Sequence, residues 1–596
     1  MKFDQNKTYL LFKLLYRGFV NYKLQIFILI VLGLLGGILE GVGIAAVIPL
    51  FTFVSGNTLG AANPISKIIQ DFFELFNFNF SLKYLLVFIS SLFILRAVVL
   101  IFCNYIKIKI SADYEEQTRN YLLKKTLKAT WPFLLSQKLG HLENLLMMNV
   151  WHSGLLLQYI SAALINLSGL AMYIFVAMNI SLSITLITIG LGFFVFIFFR
   201  PIIYKIKSIS KERNIINKSI AHYVNENIMG MKTIKAMFVG EHIALSGNDY
   251  FKRIKELFIK SSFLKIISEA SMEPIGLVFI CVIFAIDYKM ANFNPAAFVA
   301  VIYLIQRMFV YIQQFQANVQ AIAETSSYLK NILEYDESVN NNIEIDIGLK
   351  KFIFFKKLEF KNLSFAYNKQ KSVLLDINFS IKKGEMIGLI GPSGAGKTTI
   401  VDLILRLFDP VSGTILLDGL NIKDIDLGDW RKNIGYVSQD IFLMNDTIAN
   451  NIRFYNENIL DEEIESAAKM AHIFDFIKSL PLGFNTVIGE RGVLLSAGQR
   501  QRMVIARILA RKPEILILDE ATSALDNESE TQIQKVIEGL KNKITVLVIA
   551  HRLSTIINSD RLLVLDNGMI VEDDDPQELL KNKNSYFFKM YNIKNN

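Results

Sequence analysis

Six long apolar runs fill the first half of this 596-residue chain, at about 24–54, 82–106, 154–179, 181–200, 266–287 and 296–318. Each is near or above the ~20 residues that carry a helix across a bilayer. Hydrocarbon offers no water to backbone N–H and C=O groups, so such runs are confined to internally hydrogen-bonded helices. The expectation is an all-α, six-helix transmembrane domain. Composition points the same way: 52% of residues are hydrophobic and 45 are Phe, yet 20% are charged. A soluble enzyme is rarely so apolar, so a membrane part joined to a soluble part is expected.

Lys and Arg set the orientation. Lys2, Lys7, Lys13, Arg17 and Lys23 precede the first run, and the connections after runs two and four are rich in both residues. The connection at 55–81 has only Lys67, and Asn179–Ser181 has no basic residue. The positive-inside rule then puts both termini in the cytoplasm of a multi-pass protein. The net charge of +9 fits basic loops beside anionic lipid and calls for no nucleic acid. Residues 5–20 are amphipathic and basic, as suits a helix on the inner membrane surface. The first apolar run is too long for a cleavable signal peptide. Cys103 and Cys281 both lie in apolar runs and read as small buried residues rather than a disulfide framework.

Glu40, Arg96 and Arg307 fall near mid-depth in their runs. An ionisable group there costs roughly 2.5–3.5 kcal/mol, so each requires a partner or a wet cavity. Two readings stand: a structural ion pair such as Glu40 with Arg96, or a polar cavity for an anionic substrate, which Glu273 would also line. Gly33, Gly37 and Gly41 form a small-residue stripe suited to close helix packing. The long inner connections are expected to be helical, with breaks around 132–144 and 223–230 that touch a soluble domain.

The second half turns polar from about Asn331. Boundaries are expected at 1–335 for the membrane domain, 336–357 for a linker and 358–596 for an α/β domain. Met386–Ile390 is an apolar run leading into Gly391, Pro392, Ser393, Gly394, Ala395, Gly396, Lys397, Thr398 and Thr399, with a helix-forming stretch after it. This is G-x-x-x-x-G-K-[ST] in strand–loop–helix context. The glycines let backbone N–H groups wrap phosphate oxygens, Lys397 reaches the β- and γ-phosphates, and Thr398 ligates Mg²⁺. Ile515–Leu518 is a buried strand ending in Asp519 and Glu520. Ending beside the phosphate loop would put Asp519 near Mg²⁺ and Glu520 at the attacking water. A second buried strand, 544–550, ends at His551, placed to reach the γ-phosphate. The turn Ser496-Ala497-Gly498-Gln499 opens a helix and makes a second anion site. Two phosphate-binding elements far apart in sequence suggest ATP sandwiched in a head-to-tail dimer.

Taken together these motifs resemble the ATP-binding cassette (ABC) transporters over nearly the whole chain, in the half-transporter arrangement of exporters. The resemblance implies adenine stacking on Tyr367, a coupling and metal-binding role for Gln439, an exporter loop at Gly489–Gly492, Asp526 in the loop after the catalytic strand, and His551 as switch residue. Glu520, His551 and Gln439 would be catalytic; Thr398, Gln439 and Asp519 would hold Mg²⁺. Ala497 departs from the family pattern, which has glycine there. The stretch Leu39–Pro49, with Arg96 and Arg307, is similar to bacterial flippases for lipid-linked oligosaccharides. The implied function is a homodimeric, ATP-hydrolysing exporter or flippase of the bacterial inner membrane, with a lipid-linked or amphipathic, anionic cargo. Export of drugs, hydrophobic compounds or peptides is the alternative, and an ATP-gated channel is a weaker one.

Overall fold

A computed structural model describes residues 14–46, 49–50, 71, 73–75, 80–137, 140–180, 182–287, 295–367, 372–519, 527–549 and 556–589. The chain divides into two compact units, Met1–Ala129 with Phe133–Ile343, and Thr130–Pro132 with Glu344–Asn596.

The first unit is helical. Its main helices are α1 (Lys23–Ala45), α2 (Leu82–Thr126), α3 (Val150–Ile180), α4 (Leu182–Met229), α5 (Gly240–Ala270), α6 (Met272–Asp287) and α7 (Pro295–Asn340). Among the described residues five helices are long and apolar enough to cross a membrane. The sixth expected run lies on α7, where the side chains of 295–301 are outside the described set. Outward faces carry bare apolar side chains such as Ile94, Val98 and Ile101, each more than half exposed. That is what hydrocarbon solvent requires.

Several boundaries differ from expectation. Of the surface helix read at 5–20, residues 14–19 are helical and pass through a turn at Val20–Tyr22 into α1; 1–13 lie outside the described residues. The fifth run is interrupted at Ser271, between α5 and α6. Pro274 lacks the N–H that would bond the carbonyl of Ala270, so the ladder is broken there. Helix α4 continues to Met229, and the short helix expected at 223–230 is Met231–Ala236. Helix α7 runs to Asn340, past the boundary expected at 335, because Tyr335 and Asp336 are held on α2. Tyr335 Oη lies 3.0 Å from Thr126 Oγ1, and Lys125 pairs with Asp336.

The glycine stripe of α1 faces α3. A Cβ on Gly33 would stand 2.6 Å from Ser168 Oγ and 3.3 Å from Ile165 Cα, and one on Gly37 would stand 3.2 Å from Met172 Cβ. Dispersion between closely approaching backbones, rather than water expulsion, holds helices together in lipid.

The second unit holds two sheets. The smaller is antiparallel, built from β1 (Lys357–Phe365), β2 (Leu374–Lys382), β4 (Ser412–Leu417) and β5 (Leu420–Asn421), ordered β2-β1-β4-β5. The larger contains β3 (Met386–Ile390), β6 (Ile434–Val437), β7 (Ile515–Asp519), β8 (Thr545–Ile549), β9 (Arg561–Asp566) and β10 (Met569–Asp574), ordered β10-β9-β3-β8-β7-β6. Only β10 is antiparallel to its neighbour. Strands β3, β7 and β8 are buried throughout. Their alternation feeds two cores: Leu516, Leu518, Val546 and Val548 go to one face, and Ile515, Ile517, Leu547 and Ile549 to the other. A sheet covered on both faces explains the unbroken apolar runs in the sequence.

Gly33→Ala should lower stability by about 1–3 kcal/mol through overpacking. Gly36→Ala, where the nearest atom would be 3.9 Å away, should be neutral. Thermal melting of the detergent-solubilised chain separates the two; equal midpoints would contradict the packing of α1 on α3.

Candidate functional site

The glycine turn read as a phosphate loop sits where β3 ends. β3 is bonded to β8 on one side and β9 on the other, so its C-terminal edge lies inside the sheet. Gly391–Gly396 then turns into helix α8 (Lys397–Ile404). Gly396 caps that helix at φ 109°, and a Cβ there would stand 2.6 Å from Leu374 Cδ2, so this position takes only glycine without strain. Lys397 is buried and donates from Nζ to the carbonyls of Gly391 (2.9 Å) and Pro392 (3.0 Å). Thr398 is exposed at the start of α8, whereas Thr399 is buried beneath it.

Register places the acidic strand. Asp519 pairs with Ile549, which in turn pairs with Leu389, so the carboxylate is level with the end of β3. The expectation that β7 ends beside the loop holds at the level of the edge, but β8 lies between. Two strand spacings, about 10 Å, separate β7 from β3. Asp519 shares a face with Ile515 and Ile517, the face that α8 covers through Ile400, Val401 and Ile404. The acid and the phosphate-loop helix are thereby on one side of the sheet.

A second carboxylate, missed in the sequence reading, stands there. Asp402 on α8 is half-buried. Its carboxyl is pushed up to about 6, first by burial and then by the charge of Asp519, with a Tyr367 hydrogen bond opposing. Tyr436 places its hydroxyl 3.4 Å from Asp519 Oδ2, and burial and the Asp519 charge push that phenol up. The signal for Asp402 was present: it lies four residues after Thr398, one helical turn on. Tyr436, contributed by β6, had none.

Tyr367 lies just beyond β1, half exposed, edge-on to Phe365 (4.9 Å) and Phe408 (5.2 Å), with its hydroxyl 3.0 Å from Thr399 Oγ1. Gln439 is exposed two residues after β6 ends at Val437. Ser496 caps helix α10 (Ala497–Leu509) in a reciprocal box: Gln499 N–H donates to Ser496 Oγ (3.2 Å) and Ser496 N–H to Gln499 Oε1 (2.9 Å). The Ala497 methyl packs on the hydrophobic core. At Gly498 an added Cβ would overlap Ser529 Oγ. Glu520, Asp526 and His551 lie outside the described residues.

In the helical unit Glu40, Arg96 and Arg307 come together. Glu40 is completely buried; Arg96 Nη2 stands 2.5 Å from its Oε2, and Arg307 pairs with its other oxygen. Tyr311, one turn beyond Arg307, donates to Oε2 at 3.0 Å. The expected pair is thus a trio with one negative and two positive charges. Arg307 remains 30% exposed and Arg96 19%. Glu273 is exposed and outside this group.

Among the described residues no group of three or more His, Cys, Asp or Glu could hold a metal by itself. Mg²⁺ suits such a place, since it takes one or two protein oxygens and completes its shell with phosphate and water. Asp519 and the Thr398 hydroxyl are hard-oxygen donors of that kind.

Residues 374–523 match the family model described as ABC transporter. A Staphylococcus aureus (strain NCTC 8325 / PS 47) protein, provisionally named a multidrug export ATP-binding/permease protein, is 33% identical over 449 residues, 73% of this chain and 77% of that one. The ATP-dependent lipid A-core flippase of Syntrophus aciditrophicus is 36% identical over 390 residues, 64% of each. The structure of a bacterial Atm1-family ABC exporter with ATP bound superposes with a TM-score of 0.78 at 22% identity, over 97% of this chain and 98% of that one.

Because the Asp402 carboxyl sits above the ~3.9 of an unfolded Asp, the folded chain holds the extra proton. Its contribution to stability therefore falls as pH rises from about 4 through 6. Asp402→Asn should gain on the wild type across that window in paired melting curves. A difference independent of pH would contradict the placement.

Proposed function

This chain belongs to the ABC transporter family, and from that premise we propose that it is a homodimeric exporter or flippase for an amphipathic, lipid-linked anionic cargo. The membership itself makes the chain an ATP-binding, multi-pass exporter whose ATPase is coupled to transport. The rest is our reading of its residues.

Two ATP molecules with Mg²⁺ would lie between the cassettes of two copies. One copy would supply the phosphate loop, with Lys397 leaving the carbonyls of Gly391 and Pro392 for the β- and γ-phosphates. Tyr367 would stack on adenine, and Thr398, Gln439 and Asp519 would serve the metal. The other copy would supply Ser496 and Gly498 to the γ-phosphate. Glu520 would orient the attacking water and His551 the γ-phosphate. ATP contacts both copies only in the closed state, and that difference drives the change. The register that levels Asp519 with the end of β3 is the observation that supports this assignment best.

The cargo reading rests on the Glu40 trio. A buried carboxylate against two guanidiniums leaves a net positive charge in a low-dielectric place, which a phosphate or pyrophosphate headgroup would balance. The flippase relative is named for a lipid. Export of hydrophobic compounds is the second reading, favoured by the relative named for multidrug export. The basic connections support cytoplasmic termini, and the bacterial exporter relatives support an inner-membrane location.

Glu520→Gln should retain ATP binding and cut steady-state hydrolysis by at least about a hundredfold, roughly 2.7 kcal/mol in barrier. Turnover near wild type would exclude Glu520 from the reaction. In vesicles, the triple change Glu40→Gln, Arg96→Gln and Arg307→Gln removes the trio without stranding a buried charge. It should abolish stimulation of ATPase by anionic lipid while basal ATPase persists. Unchanged stimulation would make the trio purely structural.

A further inference from the structure

The sequence reading makes 336–357 a linker; the part of it beyond α7, which ends at Asn340, is held down before β1 begins at Lys357. It is clamped along its length to its own unit. Glu344 forms a two-pronged ion pair with Arg431, Oε1 to Nη2 at 2.6 Å and Oε2 to Nη1 at 2.9 Å. Asp346 accepts from the N–H of Leu427 (2.8 Å) and lies 3.7 Å from Arg406. Burial pushes the other way, yet the N–H groups of Leu427 and Gly348 and the charges of Arg406 and Arg431 hold the Asp346 carboxyl below the usual range. Phe352 N–H donates to Asp429 (2.6 Å), and Asp418 accepts from the N–H of Lys356 and Lys357 at 2.8 and 2.7 Å. At Gly348 the strap lies so close that a Cβ would overlap the carbonyl oxygen of Ile425.

Three of these contacts, through Glu344, Asp346 and Phe352, converge on the short helix α9 (Leu427–Lys432), and α9 holds the far end of the phosphate-loop helix. A helix leaves its last carbonyls unpaired. In α8 and the turn after it they are taken by α9: Trp430 Nε1 donates to Ile404 O (2.7 Å), Arg431 Nε to Leu405 O (3.1 Å) and Arg431 Nη2 to Arg406 O (2.9 Å). Trp430 is completely buried. One guanidinium thus caps α8 and grips Glu344 at the same time, and a cation there also suits the negative end of the helix dipole. Helix α8 is eight residues long, so its capped end is only about 12 Å from the phosphate loop. Glu344 in turn lies four residues beyond Asn340, the last residue of α7.

We propose that the strap 344–357 is a positioning element for the phosphate loop. Glu344, acting through Arg431, sets the tilt of α8 and so the affinity for nucleotide, and the strap gives α7 a direct covalent route to that loop. The inference rests on the reading of Gly391–Thr399 as the nucleotide loop.

The test uses full-length chain in phosphatidylethanolamine–phosphatidylglycerol nanodiscs, a fluorescent ATP analogue for Kd, and ATP turnover for KM and kcat. Glu344→Ala should raise Kd and KM about three- to tenfold, with kcat within about twofold. Gly348→Ala, which changes no charge, should do the same by lifting the strap; if it fails to fold, Glu344→Gln takes its place. In a double-mutant cycle, Glu344→Ala added to Arg431→Ala should have less than about a twofold further effect, because the two act on one path. Wild-type Kd and KM in Glu344→Ala, or effects of Glu344→Ala and Arg431→Ala that multiply in full, would overturn the proposal. Wild-type chain that fails to bind the analogue would overturn the nucleotide-loop reading beneath it.

Discussion

Strand β3 is the constraint on which the ATPase half depends. It is bonded on both edges and buried on both faces. A slip of one residue would exchange its two faces and push side chains into the wrong core. The end of β3 is therefore fixed, and with it the start of the glycine turn and the first turn of α8. The same argument holds for β7 and β8, whose alternate residues feed the same two cores. Packing of apolar side chains is what sets a carboxylate level with a phosphate loop two strands away.

The helical half answers a different constraint. There a charge has no water to turn to, and Glu40 is satisfied by donors from α2 and α7. Removing one arginine would leave a buried charge under-compensated, at a cost of several kcal/mol. That cost ties three helices together at one point, while the glycine stripe of α1 brings a fourth, α3, against it. In the proposed function the surplus positive charge of the same trio meets an anionic cargo, so one arrangement would serve both assembly and recognition.

Much of this was legible in the residues because it is local. The phosphate loop, the acidic strand and the capped turn at Ser496 are each written in a few consecutive residues, and hydrophobic runs of membrane length leave little choice of structure. What was illegible is long-range. Nothing in 544–550 says that it slots between β3 and β7, since any buried strand reads alike. The clamps on residues 344–357 reach partners far along the chain, Arg431 for Glu344, and Arg406 and the Leu427 N–H for Asp346. No local pattern names such partners, so the stretch read as a linker. Pro274 carried a signal for the break at Ser271 that the reading of 266–287 as one run left unused. Tyr311 was within reach too, one helical turn from Arg307, and Asp402 one turn from Thr398.

The proposed function depends on ATP gripped between the phosphate loop of one copy and the Ser496 turn of another. The most direct test places Cys at Ser393 and at Ser496, with Cys103 and Cys281 replaced by Ala and Glu520 by Gln to halt turnover. A short bifunctional thiol reagent should then link two chains rapidly with ATP and Mg²⁺ present, and slowly without nucleotide. Linking that is absent, or that ignores ATP, would contradict a nucleotide shared between two copies.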